Sequence, residues 1–266
     1  MTFKLTAENY YSQEANERYM SVSQFKDFVG TFGKLPCEYS AMMKLKGEWV
    51  EKKTKPLMVG SYVDSYFEGS LDTFKAENPE IFKNDGTLRV EYKQADAIIE
   101  RIERDSYFMK FMSGEKQKIM TAEMFGTEWK IKMDSYLPVA IVDLKVMASI
   151  SKPEWVRDIG YLDFIRYWGY DIQGAVYQEV EYLNTGVRKP FYIAAATKET
   201  EPDIRIIQVT QTYLDEALNV VRANMPRVLD VKHGKVKPDR CDQCDCCRHT
   251  RVLTQPITIA DLTMQI

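Results

Sequence analysis

The segment Glu128–Met147, EWKIKMDSYLPVAIVDLKVM, constrains the fold more than any other part of the chain. Apolar and polar side chains alternate along it with the period of a strand, and Pro138–Val139 interrupts the run. A two-residue turn there predicts an antiparallel hairpin in which Asp134 stands opposite Asp143. One face would carry Trp129, Ile131, Met133 and Leu137 against Ala140, Val142, Leu144 and Val146, and should pack into a core. The other would carry Lys130, Lys132, Asp134, Asp143 and Lys145. A preceding strand continues the pattern through a turn at Gly126–Thr127. That turn puts Met120, Ala122 and Met124 on the apolar side and Glu123 opposite Lys130.

Directly opposed residues of a hairpin have Cβ atoms about 4.5–5.5 Å apart, and like charges there are destabilising. Two aspartates so placed need a compensating charge. A divalent cation supplies it, and carboxylate oxygens suit magnesium, or manganese in its place. Lys145 projects from the same face as Asp143, where an ammonium can stabilise charge on a phosphate or orient a water. On their own, Asp143 and Lys145 read more readily as an ion pair on a solvated strand; the opposed Asp134 and the apolar partner face bring the metal reading level with it.

Around this hairpin the periodicity predicts helices over 22–30, 37–46, 57–68, 91–112, 161–184 and 213–231. Strands are predicted over 117–125, 128–137, 140–147, 190–197 and 203–210, and residues 70–90 read mostly as loop. This order is an α/β arrangement with a mixed sheet. The whole of 1–266 reads as one domain, with the N-terminal helices and a Cys-rich segment at about 237–250 as appendages. In the helix at 161–184, Arg166, Tyr170, Gln173 and Tyr177 form one polar-aromatic stripe, suited to phosphates rather than a dry core. Asp64, in GSYVD behind Gly60, offers a further carboxylate.

The charge balance limits the partners. The net charge is −3, which argues against a general nucleic-acid coat protein but not against an enzyme with a local basic groove. The basic run Lys44, Lys46, Lys52, Lys53 and Lys55 reads as a solvated surface. No apolar run approaches a membrane span, so a cytoplasmic protein without a membrane partner is expected. Histidines number only two, which disfavours histidine-based hydrolase sites. Of five cysteines, Cys37 stands alone and Cys241, Cys244, Cys246 and Cys247 crowd together, a pattern that suggests metal rather than disulfides.

Together these residues resemble the PD-(D/E)xK nuclease superfamily, in its RecB-like and lambda-exonuclease-like branch. The resemblance is strongest to phage RecE-type exonucleases (exonuclease VIII). It rests on Gly60–Asp64, Asp134, the Asp143-Leu144-Lys145 triplet and the Gln173/Tyr177 pair, in the family's order, and covers about residues 20–250. It implies a restriction-endonuclease-like core, a central mixed sheet flanked by helices. Asp134, Asp143 and the Leu144 carbonyl would be magnesium ligands, with Asp64 where many relatives carry histidine. Lys145 would be the catalytic lysine, and Gln173 and Tyr177 would lie near the scissile phosphate.

The implied activity is metal-dependent hydrolysis of DNA from duplex ends, 5′ to 3′, in phage-type recombination. Its partners would be double-stranded DNA ends and a single-strand annealing protein, with a homo-oligomer as the working form. Arg166 and Tyr170 would touch DNA. Some RecB-like nucleases hold a [4Fe–4S] cluster through one early and three late cysteines. By that resemblance Cys37, Cys241, Cys244 and Cys247 are cluster ligands, with a zinc site as the rival. A single-strand or adaptation-type nuclease with such a cluster, and a non-catalytic nucleic-acid-binding protein with structural zinc, are the competing functions.

Overall fold

The turn at Pro138–Val139 forms where the sequence places it. In the computed structural model, which describes residues 3–259, Leu137 pairs with Ala140, Tyr136 with Ile141 and Ser135 with Val142. The chain begins with α1 (Gln13–Arg18), α2 (Val22–Val29), α3 (Glu38–Leu45), α4 (Lys55–Glu68) and α5 (Leu71–Glu77). A short 3-10 turn at Pro79–Ile81 leads to α6 (Val90–Glu103) and α7 (Ser106–Phe111). Then come β1 (Glu115–Met124), β2 (Thr127–Leu137), β3 (Ala140–Met147), β4 (Glu154–Val156) and β5 (Gly160–Leu162). The chain continues through α8 (Phe164–Tyr167), α9 (Tyr170–Thr185), β6 (Phe191–Thr197), β7 (Ile204–Val209), α10 (Gln211–Lys232) and α11 (Asp245–His249).

Five strands form one mixed sheet in the order β1-β2-β3-β6-β7. Only β3 and β6 run parallel, and parallel neighbours need a long crossover, which contains α9. Both faces are covered by helices. On one, Trp129, Ile131, Ile141 and Phe191 pack with Phe25 of α2, Val176 of α9 and Val221 of α10. On the other, Val142, Leu144, Ala194 and Ala196 pack with Tyr62 and Val63 of α4 and Ile98 and Ile102 of α6. Among the described residues, no helix is long and apolar enough to cross a membrane.

The structure corrects five expectations. The β1–β2 turn is at Phe125–Gly126, not Gly126–Thr127, so Glu123 faces Glu128 and Lys130 faces Thr121. Both turn residues have positive φ, 53° and 83°, as the commonest two-residue hairpin turn requires, and glycine meets one of these without cost. The apolar rows of β2 and β3 do not share one core. Trp129, Ile131 and Met133 join the first cluster, whereas Val142 and Leu144 join the second. The reason is that β3 is central and buried on both faces, while β2 diverges from it beyond Ser135.

Residues 70–90 hold α5 and the 3-10 turn rather than mostly loop. The helix expected at 91–112 is split into α6 and α7, because the Asp105 carboxylate caps the amides of Tyr107 and Phe108 and starts a new helix. The helix expected at 161–184 is β5, α8 and α9, broken at Gly169 with φ 64°. A Cβ on Gly169 would approach Thr31 Cγ2 to 2.9 Å, so the close packing there also favours glycine.

Candidate active site

The site forms where the β2–β3 ladder stops. Continued by one step, the ladder would pair Asp134 with Asp143. Instead the Leu144 N–H donates to Asp134 Oδ2 at 2.8 Å. A buried amide that leaves a sheet needs another acceptor, and here a carboxylate takes that role. The strands therefore part at the two aspartates, and a cavity of about 260 Å³ opens beside them.

Four carboxylates reach this cavity. Asp134 and Asp143 come from the hairpin, and Asp64 and Glu68 from successive turns of α4. Thr54 caps the start of α4, Pro56 lies in its first turn, and Gly69 ends it in the left-handed conformation at φ 81°. Asp143 is 2% exposed. Its Oδ1 accepts from Gln173 Nε2 of α9 at 2.7 Å, and its Oδ2 forms an ion pair with Lys145. Asp64 Oδ1 is sealed from solvent and accepts no hydrogen bond.

The electrostatics follow from this crowding. Burial raises the Asp64 carboxyl well above its ordinary value, and Asp134 raises it further. Burial, then Asp143, pushes Asp134 up from 3.8 to about 7. Burial opposes the charge on Lys145, but Asp143, Asp134 and Tyr170 outweigh it and hold the ammonium charged. Lys145 Nζ also lies 5.2 Å from the Tyr170 ring centre. The lysine thus gives the aspartates part of the positive charge that their closeness requires.

Cations and phenols line the same cavity. They include Lys26 from α2, Lys130 and Lys132 from β2, and Tyr10 and Tyr11 from the segment before α1. Lys26 is pushed down to about 8, first by burial and then by Lys145. Its Nζ donates to the Trp168 carbonyl at 3.1 Å and lies 5.4 Å from the Tyr170 ring centre. Tyr177 donates to the Lys132 carbonyl at 3.1 Å, tying α9 to β2.

The sequence-derived residues divide accordingly. Asp64, Asp134, Asp143, Leu144, Lys145, Gln173 and Tyr177 all line the cavity, and Tyr170 stands behind it between two lysines. Arg166 does not share their stripe. It belongs to α8, pairs with Asp163 at 2.7 Å and stacks on Tyr213. Glu68, Gln117, Lys26, Tyr10 and Tyr11 were not anticipated. Of these, only Glu68 carried a local signal, since it lies one helical turn beyond Asp64.

The donor set fits a hard divalent cation. It offers carboxylate oxygens and a main-chain carbonyl, with Asp64 Oδ1 unpartnered and Asp143 Oδ2 held only by an ion pair. The three aspartates are not drawn as tightly together as the thiols described below. Among the described residues, only those thiols have every ligand atom within 4.8 Å of the others.

The raised Asp134 value gives a pH dependence with a definite sign. Between pH 3.8 and about 7 the folded chain holds a proton that the unfolded chain has released. Stability is therefore highest below that window and falls as pH rises through it. Asp171, pushed up to about 6 by burial, acts in the same direction. The metal-free protein should lose on the order of 1–3 kcal/mol between pH 5 and 7.5, allowing for water in the cavity. Thermal unfolding in chelator measures it. A flat or rising Tm over that range would contradict the assignment, and Asp134→Asn should shrink the slope.

The second cluster lies at the start of α3. Cys37 caps that helix, accepting from the Ser40 amide at 3.4 Å. Cys241 accepts from the Cys244 amide at 3.3 Å, and Cys244 caps α11 by accepting from the Cys247 amide at 3.4 Å. Cys37, Cys241, Cys244 and Cys247 form one group able to hold a metal ion, without Cys246. Burial works against ionisation of Cys241, but amides of Gln243 and Cys244 outweigh it and bring the thiol to about 7.

Comparison with known proteins agrees with this geometry. No curated protein matches the chain. A crystal structure of a “Putative exonuclease” from Eubacterium rectale is 68% identical, with full coverage of both chains and a TM-score of 0.98. A family model described as a PDDEXK-like domain of unknown function (DUF3799) matches residues 21–250. The sheet, its flanking helices and the carboxylate–lysine cavity form a restriction-endonuclease-like core, and the chain belongs to this PDDEXK-like family of the PD-(D/E)xK nuclease superfamily.

Proposed function

We propose that the chain is a magnesium- or manganese-dependent DNA exonuclease that hydrolyses phosphodiester bonds from duplex ends. The observation that carries this reading is the convergence of Asp64, Asp134, Asp143, Lys145 and Gln173 on one cavity, with carboxylate oxygens left without hydrogen bonds. The exonuclease name of the Eubacterium rectale relative supports it. Asp134, Asp143 and the Leu144 carbonyl would hold the cation, with Asp64 as a further ligand. When bound, a divalent cation supplies Lewis acidity to a phosphate oxygen and lowers the pKa of a water.

The chain's own residues supply the rest. Lys145 keeps its proton, so it presents positive charge to the phosphate or the attacking water. Gln173 fixes the Asp143 carboxylate through its 2.7 Å bond, and Tyr177 fixes α9 against β2. Lys26, Lys132 and Tyr11 line the same cavity as the carboxylates and would contact a DNA backbone there. The four thiols hold a structural metal and take no part in the reaction.

The enzyme degrades the 5′-ended strand and leaves a 3′ single strand for an annealing protein, as in phage-type recombination. This direction follows the resemblance to RecE-type and lambda exonucleases, as do a homo-oligomeric working form and a place in the bacterial cytoplasm. The test compares linear duplexes labelled at the 5′ or 3′ end with a closed circle, with and without magnesium. Label should leave the 5′ end first, and the circle should survive. Rapid cutting of the circle would make it an endonuclease. Release from 3′ ends first would reverse the polarity, and a preference for single strands would favour an adaptation-type nuclease.

A further inference from the structure

The four grouped cysteines are too close together for a cluster of several metal ions. Cys37 Sγ lies 3.5 Å from Cys247 Sγ and 3.7 Å from Cys244 Sγ. All four sulfurs, with Cys241, lie within 4.8 Å of one another. A tetrahedral zinc with bonds of about 2.3 Å places its four sulfurs about 3.8 Å apart, from geometry alone. In a cubane iron–sulfur cluster each thiolate sits outward of its own iron. The sulfurs must then stand farther apart than the irons do, and far wider than around one ion.

We propose that Cys37, Cys241, Cys244 and Cys247 bind a single zinc ion as a closed, tetrahedral four-thiolate site, and that Cys246 takes no part. Cys37 and Cys244 each cap a helix by accepting from the amide three residues on, and they do so with the sulfurs at these close separations. Four thiolates around one zinc carry a net charge of −2. Amides of Ser40, Cys244 and Cys247 already point at these sulfurs, and each lowers the cost of that charge. The Arg240 guanidinium adds a cation at the rim, donating to the Cys247 carbonyl at 2.9 Å. Thiolates disfavour magnesium and calcium, and zinc outcompetes ferrous iron at such a site.

With four protein ligands, no position is left for water or substrate, so the site is structural. It joins sulfurs 210 residues apart in sequence. Nearby contacts show what it clamps. Arg227 of α10 binds Glu38 through two bonds of 2.8 and 2.7 Å and also reaches Asp239 at 3.1 Å. The amide of Tyr39 donates to the Asp239 carbonyl at 2.9 Å. The zinc therefore pins α3 to the C-terminal arm, and α3 packs on α2, which brings Ser23 and Lys26 to the cavity.

The test needs no nuclease activity, so its outcome is independent of the proposed reaction. The protein is expressed with both iron and zinc supplied, purified without oxygen, and assayed for zinc, iron and acid-labile sulfide. One zinc per chain with only traces of iron and sulfide is expected. Iron and sulfide in equal multiple equivalents would overturn the proposal, as would one iron without sulfide, or metal-free protein. Cobalt(II) exchanged into the wild-type chain should show the intense visible bands of a tetrahedral tetrathiolate. The pale spectrum of octahedral cobalt would overturn the geometry. Cys246→Ser should keep one zinc per chain, and its loss would place Cys246 among the ligands.

Discussion

Asp134→Asn is expected to lower magnesium-dependent DNA cleavage by about 10³-fold or more, while making the metal-free fold more stable at pH 8. The rate loss corresponds to roughly 4 kcal/mol of transition-state stabilisation, in keeping with the several kcal/mol that metal-ion catalysis supplies. The opposite effect on stability follows from the charge. At pH 8 the Asp134 carboxyl, raised to about 7, is mostly ionised beside Asp143. An asparagine removes that repulsion, and its side-chain oxygen can still accept from the Leu144 amide, so the strand ends stay joined. Gel assays of end-labelled duplex measure the first effect, and Tm in chelator the second. Near-normal cleavage would remove Asp134 from the reaction. Lost cleavage with a lower Tm would make it a structural residue.

Lys145→Ala should show the reverse pattern for stability with a similar loss of rate. Lys145 neutralises Asp143, whose side chain is 2% exposed. Removing one partner of a buried ion pair costs about 3–5 kcal/mol, because the remaining charge is stranded. The metal-free variant should therefore unfold at a lower temperature at pH 8. Saturating magnesium should restore much of that loss, since a cation replaces the missing charge. Turnover should stay about 10²–10³-fold down, because the ammonium aimed at the phosphate is gone. Rates near wild type at saturating magnesium would show that the lysine serves the fold alone. A Tm unchanged in chelator would show that Asp143 does not depend on it.

The two substitutions separate roles that a single activity assay would merge. Both remove activity, yet one relieves repulsion and the other creates it. Titrating magnesium while following Tm adds a third axis, because ligand binding to the folded state alone raises stability with concentration. Asp134→Asn should need more magnesium for the same gain in Tm, and Lys145→Ala should gain more from saturating metal than the parent does.

What the sequence determined by itself was local and periodic. Strand alternation in Glu128–Met147 and the break at Pro138–Val139 set the hairpin register, and the structure shows Leu137 paired with Ala140 as expected. Helical periodicity gave α2, α3, α4 and α10 nearly to their ends, because an amphipathic stripe needs only its own residues to be recognised. Cysteine spacing gave the late part of the thiol group, since C-x-x-C keeps its sulfurs close whatever surrounds it.

Only the tertiary structure decided the rest. Whether β3 shows one apolar face or two depends on β6 beside it and on α4 and α9 above and below, none of which its alternation records. Lys26, Gln117, Tyr10 and Tyr11 reach the cavity from segments distant in sequence from Asp143, and nothing in their own neighbourhoods marks them. Arg166 left the expected stripe because Gly169 turns the chain between α8 and α9, which rotates the two helices out of one period. Periodicity reports which side of an element faces inward. Which elements meet there, and which charges they bring, is fixed by packing between residues that the sequence places far apart.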